Sequence, residues 1–213
     1  MAESLVGRGE LKAILFDLGG VVIDIDFKRA FRSWADRASC DAADLERRFT
    51  FDEAYELHET GDLNSSAYFS ALRKNLNVSL SEEDLVAGWN DIYLGTIPGM
   101  VKLLAATSQR FPLYAFTNSN PTHQSVWSTR FAPELSIFTT IYVSSELGVR
   151  KPDPQSFSLV AERMGVQASE VLFFDDSAEN IVGAISAGMR GVLVGSPGDV
   201  GAALGRYGLE VEA

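Results

Sequence analysis

The chain contains one cysteine, Cys40, so no internal disulfide can staple it and no CxxC metal or redox site can form. Its two histidines, His58 and His123, are too few for a zinc centre, which needs several His or Cys ligands. No apolar run approaches the roughly 20 residues that a bilayer crossing requires. Residues 1–11 lack the basic start and apolar stretch of a leader. Positive charge is also scarce: 18 Lys and Arg stand against 29 Asp and Glu, a net charge of -11. A nucleic-acid backbone or an anionic membrane would meet a repelling field, which argues against both as partners. Neither GxxxxGK[ST] nor GxGxxG occurs, which removes the usual nucleotide-binding fingerprints. Together these absences fit a cytoplasmic protein of a reducing compartment.

What remains is ordinary globular composition, 46% hydrophobic and 22% charged over 213 residues. At roughly 150 residues per domain, that length suits a core carrying a smaller second unit. Five short apolar runs, at 13–16, 113–116, 140–143, 171–174 and 191–194, have the unbroken hydrophobicity of buried parallel strands. Helix-length segments at 121–130, 154–164 and 178–187 alternate with the last four, and Gly188 stands where a helix C-cap belongs. The pattern predicts a doubly wound, Rossmann-like parallel sheet of about five strands.

About 95 residues separate the first run from the second, far too many for one crossover. They read as successive helices. Phe27, Phe31 and Trp34 recur at i, i+4, i+7, and Phe69, Leu72 and Leu76 at i, i+3, i+7, spacings that predict helix core. Ser81 to Asp84 resembles a capping box with Leu80 and Leu85 as its staple. The economical division is a core of residues 1–26 and 94–213 with a helical domain, 27–93, inserted.

Candidate chemistry lies at the strand ends. Asp17 closes the first run and is followed by Gly19-Gly20, a carboxylate where open α/β sheets bind ligands. The run at 171–174 leads into Asp175-Asp176, two adjacent acids that repel each other unless a cation lies near. Three acids at two strand ends suggest Mg²⁺. Thr117-Asn118-Ser119-Asn120 ends the second run with hydrogen-bonding side chains, and Lys151-Pro152 follows the third.

In this order the residues resemble the haloacid dehalogenase superfamily, whose members are mostly Mg²⁺-dependent phosphohydrolases. Its four motifs are matched by Asp17, by Thr117-Asn118, by Lys151-Pro152, and by Asp175-Asp176 with Asn180 after it. The 27–93 insert resembles the helical cap of one branch. Within that branch, Asp17-Leu18-Gly19 followed by Asp24-Ile25-Asp26-Phe27, with His58-Glu59 in the cap, is most similar to sugar 1-phosphate phosphatases.

The resemblance implies that Asp17 attacks phosphorus and becomes an aspartyl-phosphate. Asp17, the Gly19 carbonyl and Asp176 would ligate Mg²⁺, with Asp175 acting through water. Lys151 and Thr117 would hold the transferring group, and Asn118 and Gly20 would complete the substrate-binding set. The substrate would be a small phosphorylated metabolite.

One position departs from the family pattern: Gly19 stands where a second aspartate usually serves as general acid and base. Such catalysis is worth roughly 10² to 10⁴ in rate. An anomeric oxygen is a better leaving group than an ordinary alkoxide and depends less on protonation, which links the glycine to sugar 1-phosphates. His58 is a second possible proton carrier. Two alternatives follow, a non-enzymatic phosphate-ligand or partner-binding protein and a metal-free dehalogenase, the latter disfavoured by the Asp175-Asp176 pair.

Overall fold

The computed structural model describes residues 10–208, so the parts of the expected core at 1–9 and 209–213 lie outside the described residues. In chain order the strands are β1 (Ala13–Phe16), β2 (Ile23–Ile25), β3 (Tyr93–Thr96), β4 (Leu113–Thr117), β5 (Thr140–Val143), β6 (Val171–Asp175) and β7 (Arg190–Leu193). Five of them form an all-parallel sheet in the order β5-β4-β1-β6-β7. This is the doubly wound α/β architecture that the five apolar runs predict.

Between β2 and β3 come α1 (Lys28–Ala38), α2 (Ala42–Arg48), α3 (Glu53–Thr60), α4 (Ser65–Leu76) and α5 (Glu82–Asn90). After β3 follow α6 (Met100–Ser108), α7 (Pro121–Arg130), α8 (Ala132–Leu135), α9 (Ser144–Leu147), α10 (Pro154–Met164), α11 (Ala178–Ser186) and α12 (Pro197–Gly205). Among the described residues no helix is long and apolar enough to cross a membrane.

β1 is buried along its whole length because both faces of the sheet are covered. Its side chains alternate with period two, and the two faces enter different clusters. Ile14 and Phe16 join Leu103 and Leu104 of α6 and Val200 and Leu204 of α12. Ala13 and Leu15 join Phe157 and Val160 of α10 and Ile181 and Ala184 of α11. The first cluster runs on without a break into α1–α5, through Phe31, Trp34, Phe69 and Trp89. Trp89 stacks on Trp34 at 6.2 Å and on His123 of α7 at 4.7 Å.

Two local outcomes differ from the expectation. β2 and β3 pair antiparallel, with a bulge at Asp24/Ile25, and carry the chain out to α1 and back from α5. At three and four residues, neither is long enough to display a period. The cap on α5 is also only half of a reciprocal box. Ser81 Oγ accepts from the Asp84 N–H at 3.1 Å, but the Asp84 carboxylate takes the Ser81 hydroxyl rather than its N–H.

The sheet positions the site because its chain order reverses beside β1. The path goes outward through β4 and β5, then returns to β6 on the opposite flank. The carboxyl ends of β4, β1 and β6 thus open one crevice. α11 lies against the loop that enters it: a Cβ added at Gly183 would overlap the Pro152 carbonyl oxygen. Gly183→Ala should therefore lower stability by roughly 1–3 kcal/mol through overpacking, although alanine gains about 1 kcal/mol of helix propensity. Urea unfolding checks the sign, since a stabilised variant would mean that the loop yields freely.

Candidate active site

Three neighbouring strands end at the crevice in register. Phe16 pairs with Ala115 on one side and Phe174 on the other, so Asp17 and Asp175, one residue on, meet at the crevice with Thr117, two residues beyond Ala115. The Asp17 N–H donates to the Phe174 carbonyl at 2.8 Å, which holds the turn at the end of β1. Lys151 enters from the loop before α10. Its ammonium lies 2.9 Å from Asp17 Oδ1 and 2.7 Å from Asp175 Oδ2, and 5.5 Å from the ring centres of Phe116 and Phe173.

Each acid has a distinct environment. Asp175 is fully buried and saturated: besides Lys151, it accepts from Asn180 Nδ2 at 3.0 Å and from the Ser177 N–H at 2.8 Å. Asp176 is exposed and receives no hydrogen bond from another residue among those described. Burial raises the Asp17 carboxyl to about 7; Lys151 opposes the rise, while Asp175 and Asp176 add to it. Burial and Asp175 also raise Asp176. Burial disfavours the Lys151 charge, yet Asp17 and Asp175 outweigh it and its pKa is raised.

Oxygens of Asp17, Asp175 and Asp176 lie within 4.8 Å of one another. Three crowded carboxylates, with oxygen as the only donor element, fit a hard divalent cation.

The predicted site residues do not all serve as the pattern suggests. Thr117 is buried beside the acids, and its hydroxyl has no partner among the described residues. Asn118 instead spends its amide on the Lys151 backbone, accepting from its N–H and donating to its carbonyl, both at 2.9 Å. Its side chain therefore positions Lys151 while lining the cavity.

Gly20 likewise is not a free phosphate donor, because its N–H goes to the Ile23 carbonyl at 2.9 Å. Its φ of 78° and its contact with Asp176, which a Cβ would overlap, explain the glycine. At Gly19 a Cβ would come within 3.0 Å of Ile25 Cδ1, so an apolar side chain occupies the space beside the position of the usual proton carrier.

Above the acids lies a cavity of about 460 Å³. Its far side includes Phe27, Phe51, Tyr55 and Glu59 from the α1–α5 region. His58 does not line it. That ring is 1% exposed, stacked on Tyr68 at 4.4 Å and bonded to Ser65 Oγ at 3.2 Å, so it is no proton carrier for this cavity.

Sequence reasoning named Glu59 only beside His58, with no role, and missed Arg150; the two pair at 3.0 Å across the cavity's side while Arg150 also reaches Glu56. The available signals were Tyr55 and Glu59 at i, i+4 on one helix, and Arg150 adjoining Lys151. Phe27, read as helix core, is only half-buried and faces the cavity.

The chain belongs to the haloacid dehalogenase-like hydrolase family, whose model matches residues 11–188. It is 26% identical over 179 residues to D-ribitol-5-phosphate phosphatase of Bacteroides thetaiotaomicron, covering 80% of this chain and 85% of that protein. Phosphatase MT3486 of Mycobacterium tuberculosis is 28% identical over 197 residues, 88% and 89% of the respective chains. Among solved structures, the family enzyme bt-2542 of B. thetaiotaomicron, in complex with magnesium and inorganic phosphate, superposes with a TM-score of 0.75 at 24% identity. It covers 87% of this chain and 95% of that one.

The histidines give a test that is independent of the metal. Burial lowers His58 to about 4 and His123 to about 3, with the Trp89 carbonyl partly opposing the shift at His123. Both lie below the unfolded value of about 6.5, so the unfolded chain takes up protons first as pH falls. Stability is complete above that value and drains toward pH 4, by up to about 1.4 kcal/mol per pH unit for each histidine. His58→Gln should make this acid slope shallower in urea unfolding and leave turnover at neutral pH as it is. An unchanged slope would contradict the buried, neutral assignment of His58.

Proposed function

We propose that the protein is a Mg²⁺-dependent phosphatase of a small phosphorylated metabolite, working through an aspartyl-phosphate on Asp17. The observation that carries this reading is the set of polar groups at the cavity floor. Asp17, the Lys151 ammonium, the Thr117 hydroxyl and the Asp176 carboxylate converge there, the last two free of other side chains. Two named phosphatases among its relatives support it, covered over 85% and 89% of their lengths.

Asp17, the Gly19 carbonyl and Asp176 would hold Mg²⁺, which when bound supplies the positive charge that lets an anionic nucleophile approach an anionic phosphoryl group. Asp175 stays behind them as the anchor of Lys151. Lys151 and Thr117 orient the phosphoryl oxygens and offset their charge. An Asp17 carboxylate oxygen then bonds to phosphorus as the ester P–O bond breaks, and the departing oxygen keeps the electron pair and takes its proton from solvent. In the second half, water bonds to phosphorus, the Asp17–phosphorus bond breaks, and inorganic phosphate and the carboxylate are released.

Residues 27–93 act in this reading as a cap that closes the cavity and excludes water. With glycine at position 19 and Ile25 beside it, the leaving oxygen departs with little help from a protein acid. Substrates with a stabilised leaving group, such as sugar 1-phosphates, suit that constraint. A metal-free dehalogenase would leave Lys151 as the one cation beside three crowded acids, with Asp176 unpaired.

Asp17→Asn keeps the side-chain volume and should reduce phosphate release by several powers of ten. Excess chelator should abolish turnover in the wild type, with recovery on adding Mg²⁺. Residual Asp17→Asn activity above about a tenth of wild type, or full turnover in chelator, would sink this mechanism.

A further inference from the structure

The cavity separates chemically into a floor and a wall. The floor carries the uncommitted polar groups described above. The wall, formed by Ile25, Phe27, Phe51, Tyr55, Tyr93 and Trp127 with the paired Glu59 and Arg150 beside them, is mostly aromatic.

Its heteroatoms are almost all consumed within the protein. The Tyr55 hydroxyl donates to Glu59 Oε1 at 2.7 Å, and Glu59 Oε2 accepts from Arg150 Nε at 3.0 Å. The Arg150 guanidinium also donates to Glu56 at 3.0 Å. Trp127 Nε1 donates to Ser119 Oγ at 3.1 Å. Both ring nitrogens of His123 are engaged, with Asn120 and with the Trp89 carbonyl. Among the described wall residues only the Tyr93 hydroxyl has no partner.

A leaving group rich in hydroxyls would exchange its hydrogen bonds to water for contact with rings and methyl groups. That exchange is unfavourable, and polar selectivity normally comes from groups placed to meet each substrate hydroxyl.

Phe51 sharpens the argument. It is 62% exposed although it is a large apolar side chain, and it stands at the cavity. Phe27, at 5.9 Å, and Tyr55, at 4.9 Å, hold it edge to face, leaving much of the ring open to a ligand. The missing acid adds a second, independent constraint. Ile25 Cδ1 stands 3.0 Å from where a Cβ at Gly19 would be, so hydrocarbon lies beside the position from which a proton donor would act. A phenolic oxygen, with a pKa near that of tyrosine at about 10, departs as the anion far more readily than an ordinary alkoxide.

We propose that the site takes phosphomonoesters of aromatic alcohols, the ring lying against Phe27, Phe51 and Tyr55 and the phosphate on the Asp17–Lys151 floor. This rests on the phosphatase reading and narrows it. An aryl phosphate satisfies both the wall and the missing acid. A polyol phosphate satisfies neither, a cyclohexyl phosphate only the wall, and a sugar 1-phosphate only the leaving-group demand.

Kinetics with Mg²⁺ on phenyl phosphate, cyclohexyl phosphate, glucose 1-phosphate, ribitol 5-phosphate and acetyl phosphate test the proposal, together with calorimetric binding of phenylphosphonate and 2-hydroxyethylphosphonate. The expected result is a kcat/KM for phenyl phosphate at least about tenfold above those of glucose 1-phosphate and ribitol 5-phosphate. Cyclohexyl phosphate should share the low KM but turn over slowly. Phenyl phosphate is intrinsically the more reactive ester, so the binding arm decides. Phenylphosphonate should bind tighter than 2-hydroxyethylphosphonate, with a negative heat-capacity change. Phe51→Ala should weaken phenylphosphonate by about tenfold and inorganic phosphate by less.

Equal affinity for the two phosphonates, an unchanged phenylphosphonate affinity in Phe51→Ala, or a polyol phosphate as the better substrate would overturn the proposal. If acetyl phosphate is hydrolysed in any of those cases, the phosphatase reading stands and only the aromatic preference fails. If no ester and no acetyl phosphate releases phosphate, both fall together.

Discussion

The ammonium of Lys151 is the constraint on which the site depends. It is 1% exposed, within 2.9 Å of Asp17 and 2.7 Å of Asp175, between the rings of Phe116 and Phe173. Breaking such a buried cluster by removing one partner costs about 3–5 kcal/mol, because the remaining charges lose their compensation. Much of the surroundings can be read as support for this one group. Asn118 holds its backbone from β4, Asn180 and the Ser177 N–H hold Asp175, and α11 meets the next residue, Pro152, where Gly183 allows close approach.

The same arrangement separates the two adjacent acids by function. Asp175 is buried and saturated, which makes it an anchor. Asp176, one residue further and beyond the strand, is exposed and unclaimed, which leaves it available to a cation. Arg150, the neighbour of Lys151, ties the loop to Glu56 and Glu59 on α3. One short segment thus touches the floor of the cavity with one residue and its far side with the next. A proximity of this kind couples the position of α3 to that of the lysine, and it makes the cavity's shape a property of both parts of the chain.

Much of this was legible in the sequence. Five strands announced themselves as apolar runs, although the edge strands β5 and β7 are only partly buried, and the order of Asp17, Thr117, Lys151 and Asp175-Asp176 followed from strand ends meeting at one edge. The rest depended on geometry that residue type does not encode. An asparagine after a strand-end threonine can face the crevice or its own neighbour, and the Asn118 amide bonds to the Lys151 backbone. His58 and Glu59 are adjacent, but about 100° of helical rotation per residue sends one into the core and the other to the cavity. Gly20 reads as a flexible phosphate loop, whereas its positive φ and contact with Asp176 give it a conformational reason. β2 and β3 were invisible because three or four residues carry no measurable period.

Asp17 is the point at which fold, charge and chemistry meet, and a covalent trap tests it most directly. Enzyme turning over a phosphomonoester with Mg²⁺ would be quenched in acid within a single turnover, reduced with borohydride and mapped by peptide mass spectrometry. An aspartyl-phosphate at position 17 predicts homoserine there and at no other acid, appearing and decaying with the rate of turnover. Turnover without modification of Asp17, or homoserine at Asp175 or Asp176 instead, would contradict the account.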